Sequence, residues 1–140
     1  MAKHIGNQTE FGRERNAALL DAFSSLVAAD TGLVDLTRVF HTVVATPATR
    51  FYVSERRAAA VVGAMRRGVS IARMNPERRE MFAEIYRRVQ HLLDAEPSLS
   101  LYEATFRVVN TAAPRFYLSP ATARSIIYRE RCMRRKGVRP

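Results

Sequence analysis

The sequence predicts an all-α fold: two duplicated three-helix units, about six helices, each unit with a long connector before its last helix. Three observations carry this. First, residues 43–54 read Val-Val-Ala-Thr-Pro-Ala-Thr-Arg-Phe-Tyr-Val-Ser and residues 108–119 read Val-Val-Asn-Thr-Ala-Ala-Pro-Arg-Phe-Tyr-Leu-Ser, identical at eight of twelve positions, 65 residues apart. Second, apolar residues recur at helical spacing on either side of these segments. Third, helix start and stop signals fall at matching places in both copies. Outward from the identical core, Ala58, Val61 and Val62 match Ala123, Ile126 and Ile127. Upstream, with a one-residue slip, Leu26, Ala29, Leu33 and Phe40 match Leu92, Ala95, Leu99 and Phe106. The expected units are 9–68 and 75–137, the second with an Arg-rich C-terminal extension.

The first helix is expected from about Thr9 to Ala29, with Phe11, Leu19, Phe23, Leu26 and Val27 turned to the core, and Asp30-Thr31-Gly32 breaking it. A shorter helix follows, roughly Val34 to Ala45, with Leu36, Val39, Phe40 and Val43 near helical spacing before Pro47. In the second copy Asn75-Pro76 pairs an N-cap with a first-turn proline. The helix behind it runs to about Ala95 with Met81, Phe82, Ile85, Val89, Leu92 and Leu93 on its apolar side. Pro97 separates it from a helix opened by Ser100 and Glu103, a capping-box pair. Ser54 and Ser119, the latter followed by Pro120, cap the third helix of each copy.

Each third helix needs only one face for its apolar stripe. The free face would carry Thr122, Arg124, Ser125, Tyr128 and Arg129 in the second copy, and Arg57, Ala59, Ala60, Gly63 and Ala64 in the first. The small residues Ala59, Ala60, Gly63 and Ala64 suit close packing against the other half or a second protomer; alternatively alanine merely fits a tight groove in a ligand. The Phe-Tyr pairs of the connectors, Phe51/Tyr52 and Phe116/Tyr117, also have two readings. They can stack on unpaired bases, or the Phe plugs the core while the Tyr hydroxyl ties down the loop. The structural reading is favoured, because a long connector needs an anchor.

Charge supplies the partner class. The 140 residues hold 23 Lys+Arg against 13 Asp+Glu, a net charge of +10, and 21 of the cations are Arg. Planar guanidinium forks suit phosphates and guanine edges, although a GC-rich genome also enriches Arg. From Arg115 to Pro140 eight cations face Glu130 alone, more than a helix macrodipole accounts for. Such a surface points to a polyanion, duplex DNA first and RNA second.

A short helix, a connection and a capped helix with basic and hydrogen-bonding residues outward resembles tandem helix-turn-helix DNA-binding proteins in general, over both halves of the chain. That resemblance implies a small transcriptional regulator or an architectural protein. The connectors, Thr46–Val53 and Thr111–Leu118, are longer than the usual three- or four-residue turn. The candidate contacts are Arg50 and Arg115 as phosphate clamps, then Arg56, Arg57, Ser119, Thr122, Arg124, Ser125, Tyr128, Arg129, Arg131, Arg134, Arg135 and Lys136. The alternatives are RNA or single-stranded nucleic acid, or a helical structural subunit, such as a phage component, docking an acidic partner.

Other classes have little to stand on. His4, His41 and His91 are scattered away from metal-ligand spacing with Cys132 or a carboxylate pair. P-loop, G-x-S-x-G and dinucleotide patterns do not occur. The expectation is no enzyme, no cofactor and no metal. One cysteine, no apolar leader and no membrane-length apolar run fit a cytoplasmic, nucleoid-associated protein.

Overall fold

The computed structural model describes residues 2–29, 32 and 35–137, with the backbone alone for 2–10. Among these residues the regular structure is helical: α1 (Ala2–Ala29), α2 (Leu36–Val44), α3 (Glu55–Arg66), α4 (Pro76–Ala95), α5 (Leu101–Val109) and α6 (Pro120–Arg135). Helix α1 starts earlier than the expected Thr9, at Ala2. The expected break at Asp30-Thr31, the start at Val34, the Leu33 match and Arg139 lie outside the described residues.

Local chemistry sets most boundaries. Side chains of Asp35, Ser54, Asn75, Ser100 and Ser119 accept the backbone N–H three residues on. Each such cap contributes about 1 kcal/mol. At Ser100 the box is complete, because the Glu103 carboxylate accepts the Ser100 N–H at 3.0 Å in return. Proline opens both α4 and α6.

The chain forms two compact units that are cut differently from the repeat: unit 1 is Met1–Ala48 with Pro114–Pro140, and unit 2 is Thr49–Ala113. In unit 1, α1, α2 and α6 pack on one another; in unit 2, α3, α4 and α5 do so. The helix that follows α2 in sequence therefore belongs to the other unit, and the pairs read as helix-turn-helix-like, α2–α3 and α5–α6, are each divided between the units. The expected packing of α3 against the other half's helices is what the contacts show.

The core of unit 1 is Leu19, Leu20 and Phe23 from α1, Val39, Phe40, Val43 and Val44 from α2, and Ala123, Ile126 and Ile127 from α6. Unit 2 buries Ala58 and Val62 from α3, Phe82, Ile85 and Val89 from α4, and Ala104, Val108 and Val109 from α5. Both Phe of the connectors are core plugs, Phe116 at 6% exposure in unit 1 and Phe51 at 1% in unit 2. Each is also held by its backbone. The Phe51 N–H donates to the Val109 carbonyl at 3.1 Å and the Phe116 N–H to the Val44 carbonyl at 3.0 Å, two bonds whose members differ by 65 residues in opposite directions. The Tyr52 hydroxyl lies 3.3 Å from Thr49 Oγ1, tying down its own loop. These observations favour the anchoring role for Phe51, Phe116 and Tyr52.

Helices α2 and α5 both have nine residues and correspond at a spacing of 65. The one-residue slip thus lies between the first and second helices of each copy, where six residues part α1 from α2 and five part α4 from α5. Phe40 consequently corresponds to Thr105, which is buried, and not to Phe106, which is exposed.

Candidate nucleic-acid interface

Helix α6 gathers most of the candidate residues, and its amphipathicity explains how. Ala123, Ile126, Ile127 and Glu130 are buried at i, i+3, i+4 and i+7, which turns the opposite arc outward. Thr122, Ser125, Arg129, Cys132 and Lys136 run along that arc, with Arg124, Tyr128, Arg131 and Arg135 beside them, all exposed. The single acid of the Arg115–Pro140 segment, Glu130, is fully buried. Among the described residues the exposed surface of α6 is therefore basic without an acid of its own.

The helix start is rigid. Ser119 Oγ accepts the Thr122 N–H at 3.1 Å and donates to Thr122 Oγ1 at 2.9 Å. Arg134 is 3.6 Å from Asp21, with both side chains exposed, a pair of little energetic weight. Arg124 lies over the Tyr128 ring at 5.4 Å and Arg131 over Phe23 at 5.9 Å. These stacks orient the guanidinium planes yet leave their N–H donors available to phosphate.

The remaining candidates separate. Arg115 is half-buried in unit 1 with its guanidinium 5.2 Å from the Tyr117 ring, and Tyr117 itself takes a left-handed φ of 58°. Arg56 and Arg57 are exposed on α3 in unit 2. Arg57 also helps to depress the pKa of Arg78, after the larger effect of burial, so this corner of unit 2 places like charges near each other. Arg50 is not placed as a clamp. Its guanidinium donates to the carbonyls of Phe51 and Val53 at 3.0 Å each, and to Asn110 Oδ1 at 3.4 Å. Glu55 stands 4.0 Å from it, and only 14% of the Arg50 side chain is exposed. Arg50 is a structural brace because its connector has backbone carbonyls to satisfy.

Gly63 lies in the α3–α5 seam. It is buried, and a Cβ there would meet Leu101 Cδ2 at 3.4 Å. Close packing through the small face is thus made, at Gly63, with α5 of the same chain; Ala60 stays exposed, and Ala59 and Ala64 are half-buried.

The sequence reading missed the part of the surface contributed by α2. A groove of about 330 Å³ lies between α2, through Leu36, Thr37, Phe40 and His41, and α6, through Pro120, Ala121, Arg124 and Tyr128. Leu36 and Tyr128 are exposed by 43% and 39%, and Phe40 meets the Tyr128 ring edge-on at 5.8 Å. The available signal was Leu36 directly after its cap, an apolar residue at a helix start with the core stripe beginning three residues later.

No group of His, Cys, Asp and Glu able to hold a metal lies among the described residues, and no described helix is long and apolar enough to cross a membrane. Comparison of the chain with protein-family models, with curated proteins and with solved structures returns no match.

Proposed function

We propose that the chain is a DNA-binding protein that lays the outer arc of α6 along a sugar–phosphate backbone. The observation that carries this reading is the segregation on α6: every exposed charged side chain is a cation, and the helix's one acid is buried. Arg124, Arg129, Arg131, Arg134, Arg135 and Lys136 supply phosphate contacts, and Thr122 and Ser125 at the capped end supply hydrogen-bonding groups of base-reading type. We read the scaffold beneath it as two copies of one three-helix unit whose third helices have changed places. A small regulator and an architectural protein both use such a surface; sequencing of co-purified DNA separates them, one enriched motif against uniform coverage.

Salt-dependent binding tests the reading. With the six cations Arg124, Arg129, Arg131, Arg134, Arg135 and Lys136 engaged, log K against log salt falls with a slope of about −5. Arg129→Ala reduces that slope by about 1. Arg50→Ala weakens the fold and leaves the slope unchanged. A flat salt response, or equal effects of the two substitutions on the slope, refutes the assignment.

A further inference from the structure

We infer that the groove between α2 and α6 of unit 1 takes an unstacked base, so that the strand held by α6 is engaged in single-stranded form in preference to duplex. The inference rests on the nucleic-acid reading above and adds the strand state and the residues that select it.

The groove has the chemistry of a base site. One wall is the Tyr128 ring with the Arg124 guanidinium 5.4 Å from its centroid, a planar cationic platform of the kind on which bases stack. The other wall, Leu36 and Thr37 with His41, offers an apolar contact and hydrogen-bonding groups for a base edge. Among the described residues no carboxylate lines it, and the cationic arc of α6 begins at its rim.

Size decides between a free small molecule and a base on a strand. About 330 Å³ is at the lower limit for pockets that enclose a drug-sized ligand, and exposed Leu36 and Tyr128 leave this one open to water. A free ligand would stay largely hydrated. A base on a strand already held by the α6 cations is delivered at high effective concentration and needs only the stacking term. In a duplex the base faces are covered by their neighbours, and extruding one costs a few kcal/mol. Selection for unpaired strands follows.

The chain carries its own control 65 residues away. The positions of Tyr128, Arg124, Phe40 and Pro120 correspond in unit 2 to Gly63, Ala59, Thr105 and Glu55. There the aromatic–cation wall is gone, Leu101 closes onto Gly63, and a carboxylate stands where unit 1 has Pro120. The base-taking features belong to unit 1 alone.

The test is fluorescence anisotropy with a labelled 20-nucleotide single-stranded DNA of mixed sequence and with its blunt duplex, at one salt concentration. The expected result is tighter binding of the single strand by about tenfold, which Tyr128→Ala removes while duplex affinity stays within about twofold. Thr37→Glu places a carboxylate in the groove from an exposed first-turn position where helices accept acids. It leaves the core and Tyr128 in place, so it decides the matter if Tyr128→Ala unfolds, and it is expected to cause the same selective loss. Arg129→Ala, outside the groove, weakens both probes alike. Equal affinities of the wild type for the two probes, or equal losses on both from Thr37→Glu, overturn the inference and leave the α6 assignment standing. Failure of both probes to bind at low salt overturns both.

Discussion

In unit 2 the arginines mostly serve the fold. Arg50 and Arg79 each donate to two backbone carbonyls, Arg88 joins the Ala112 carbonyl to the Glu84 carboxylate, and Arg107 pairs with Glu96. Among the described residues of unit 1, Arg124 and Arg131 of α6 lie over rings, Arg134 pairs with Asp21, and Arg129, Arg135 and Lys136 are exposed. Yet the totals are close: twelve cations against six acids in unit 1, eleven against seven in unit 2. Net charge by unit does not separate exposed cations from bracing ones; the position of each charge relative to backbone carbonyls does. The packing differs in the same direction. Small residues, Gly63 and Thr105, let unit 2 close its α3–α5 seam, whereas Tyr128 and Phe40 hold the α2–α6 seam of unit 1 open as a groove.

The largest expected effect probes which helices each connector serves. Phe51→Ala empties a site that is 1% exposed in unit 2 and should cost about 3–5 kcal/mol. Hydrogen exchange should then show lost protection in α4 and α5. Loss confined to α1 and α2, the companions of Phe51 in its own repeat, would break the division into units. A second test concerns acid. Hydrogen bonds from Arg87 hold the Glu84 carboxyl below its ordinary value of 4.5, with burial opposing and Arg88 assisting. A carboxyl whose folded pKa is lowered contributes stability that is full above that ordinary value and lost as pH falls through the folded one. Unit 2 should therefore weaken below about pH 4.5, with a change of about 1 kcal/mol or less for a part-exposed pair. Urea melts at pH 7 and pH 3 should show Glu84→Gln losing less stability on acidification than the wild type; identical acid slopes would remove Glu84 from the account. The smallest effect sharpens the seam comparison. Gly63→Ala meets the ends of two flexible side chains, Leu101 Cδ2 at 3.4 Å and Arg67 Nη1 at 3.5 Å, and gains helix propensity, so a stabilisation of about 0.5–1 kcal/mol is expected in thermal melts. Marked destabilisation would mean that the seam needs the bare glycine.

Helix positions were largely legible. Ser54, Asn75, Ser100 and Ser119 act locally on the next few residues, and a cap is recognisable wherever the backbone goes afterwards. The outward arc of α6 was legible too, since its period follows from helix geometry alone. Arg50 was misread because a cation beside a conspicuous motif looks the same whether its partner is a phosphate or a carbonyl. The groove was missed because half of it comes from α2, about 80 residues from α6 in sequence.

By itself the sequence determined the helical class, the 65-residue correspondence and the basic character of α6, all consequences of period, caps and composition. Tertiary structure alone decided which helices close each core. Ala58 and Val62 present the same stripe as Ala123 and Ile127, so either pair of preceding helices can cover either third helix. Ten-residue connectors, 45–54 and 110–119, can extend to about 35 Å, so they do not force consecutive helices to pack together. Local pattern creates the apolar face, and packing selects the surface that buries it.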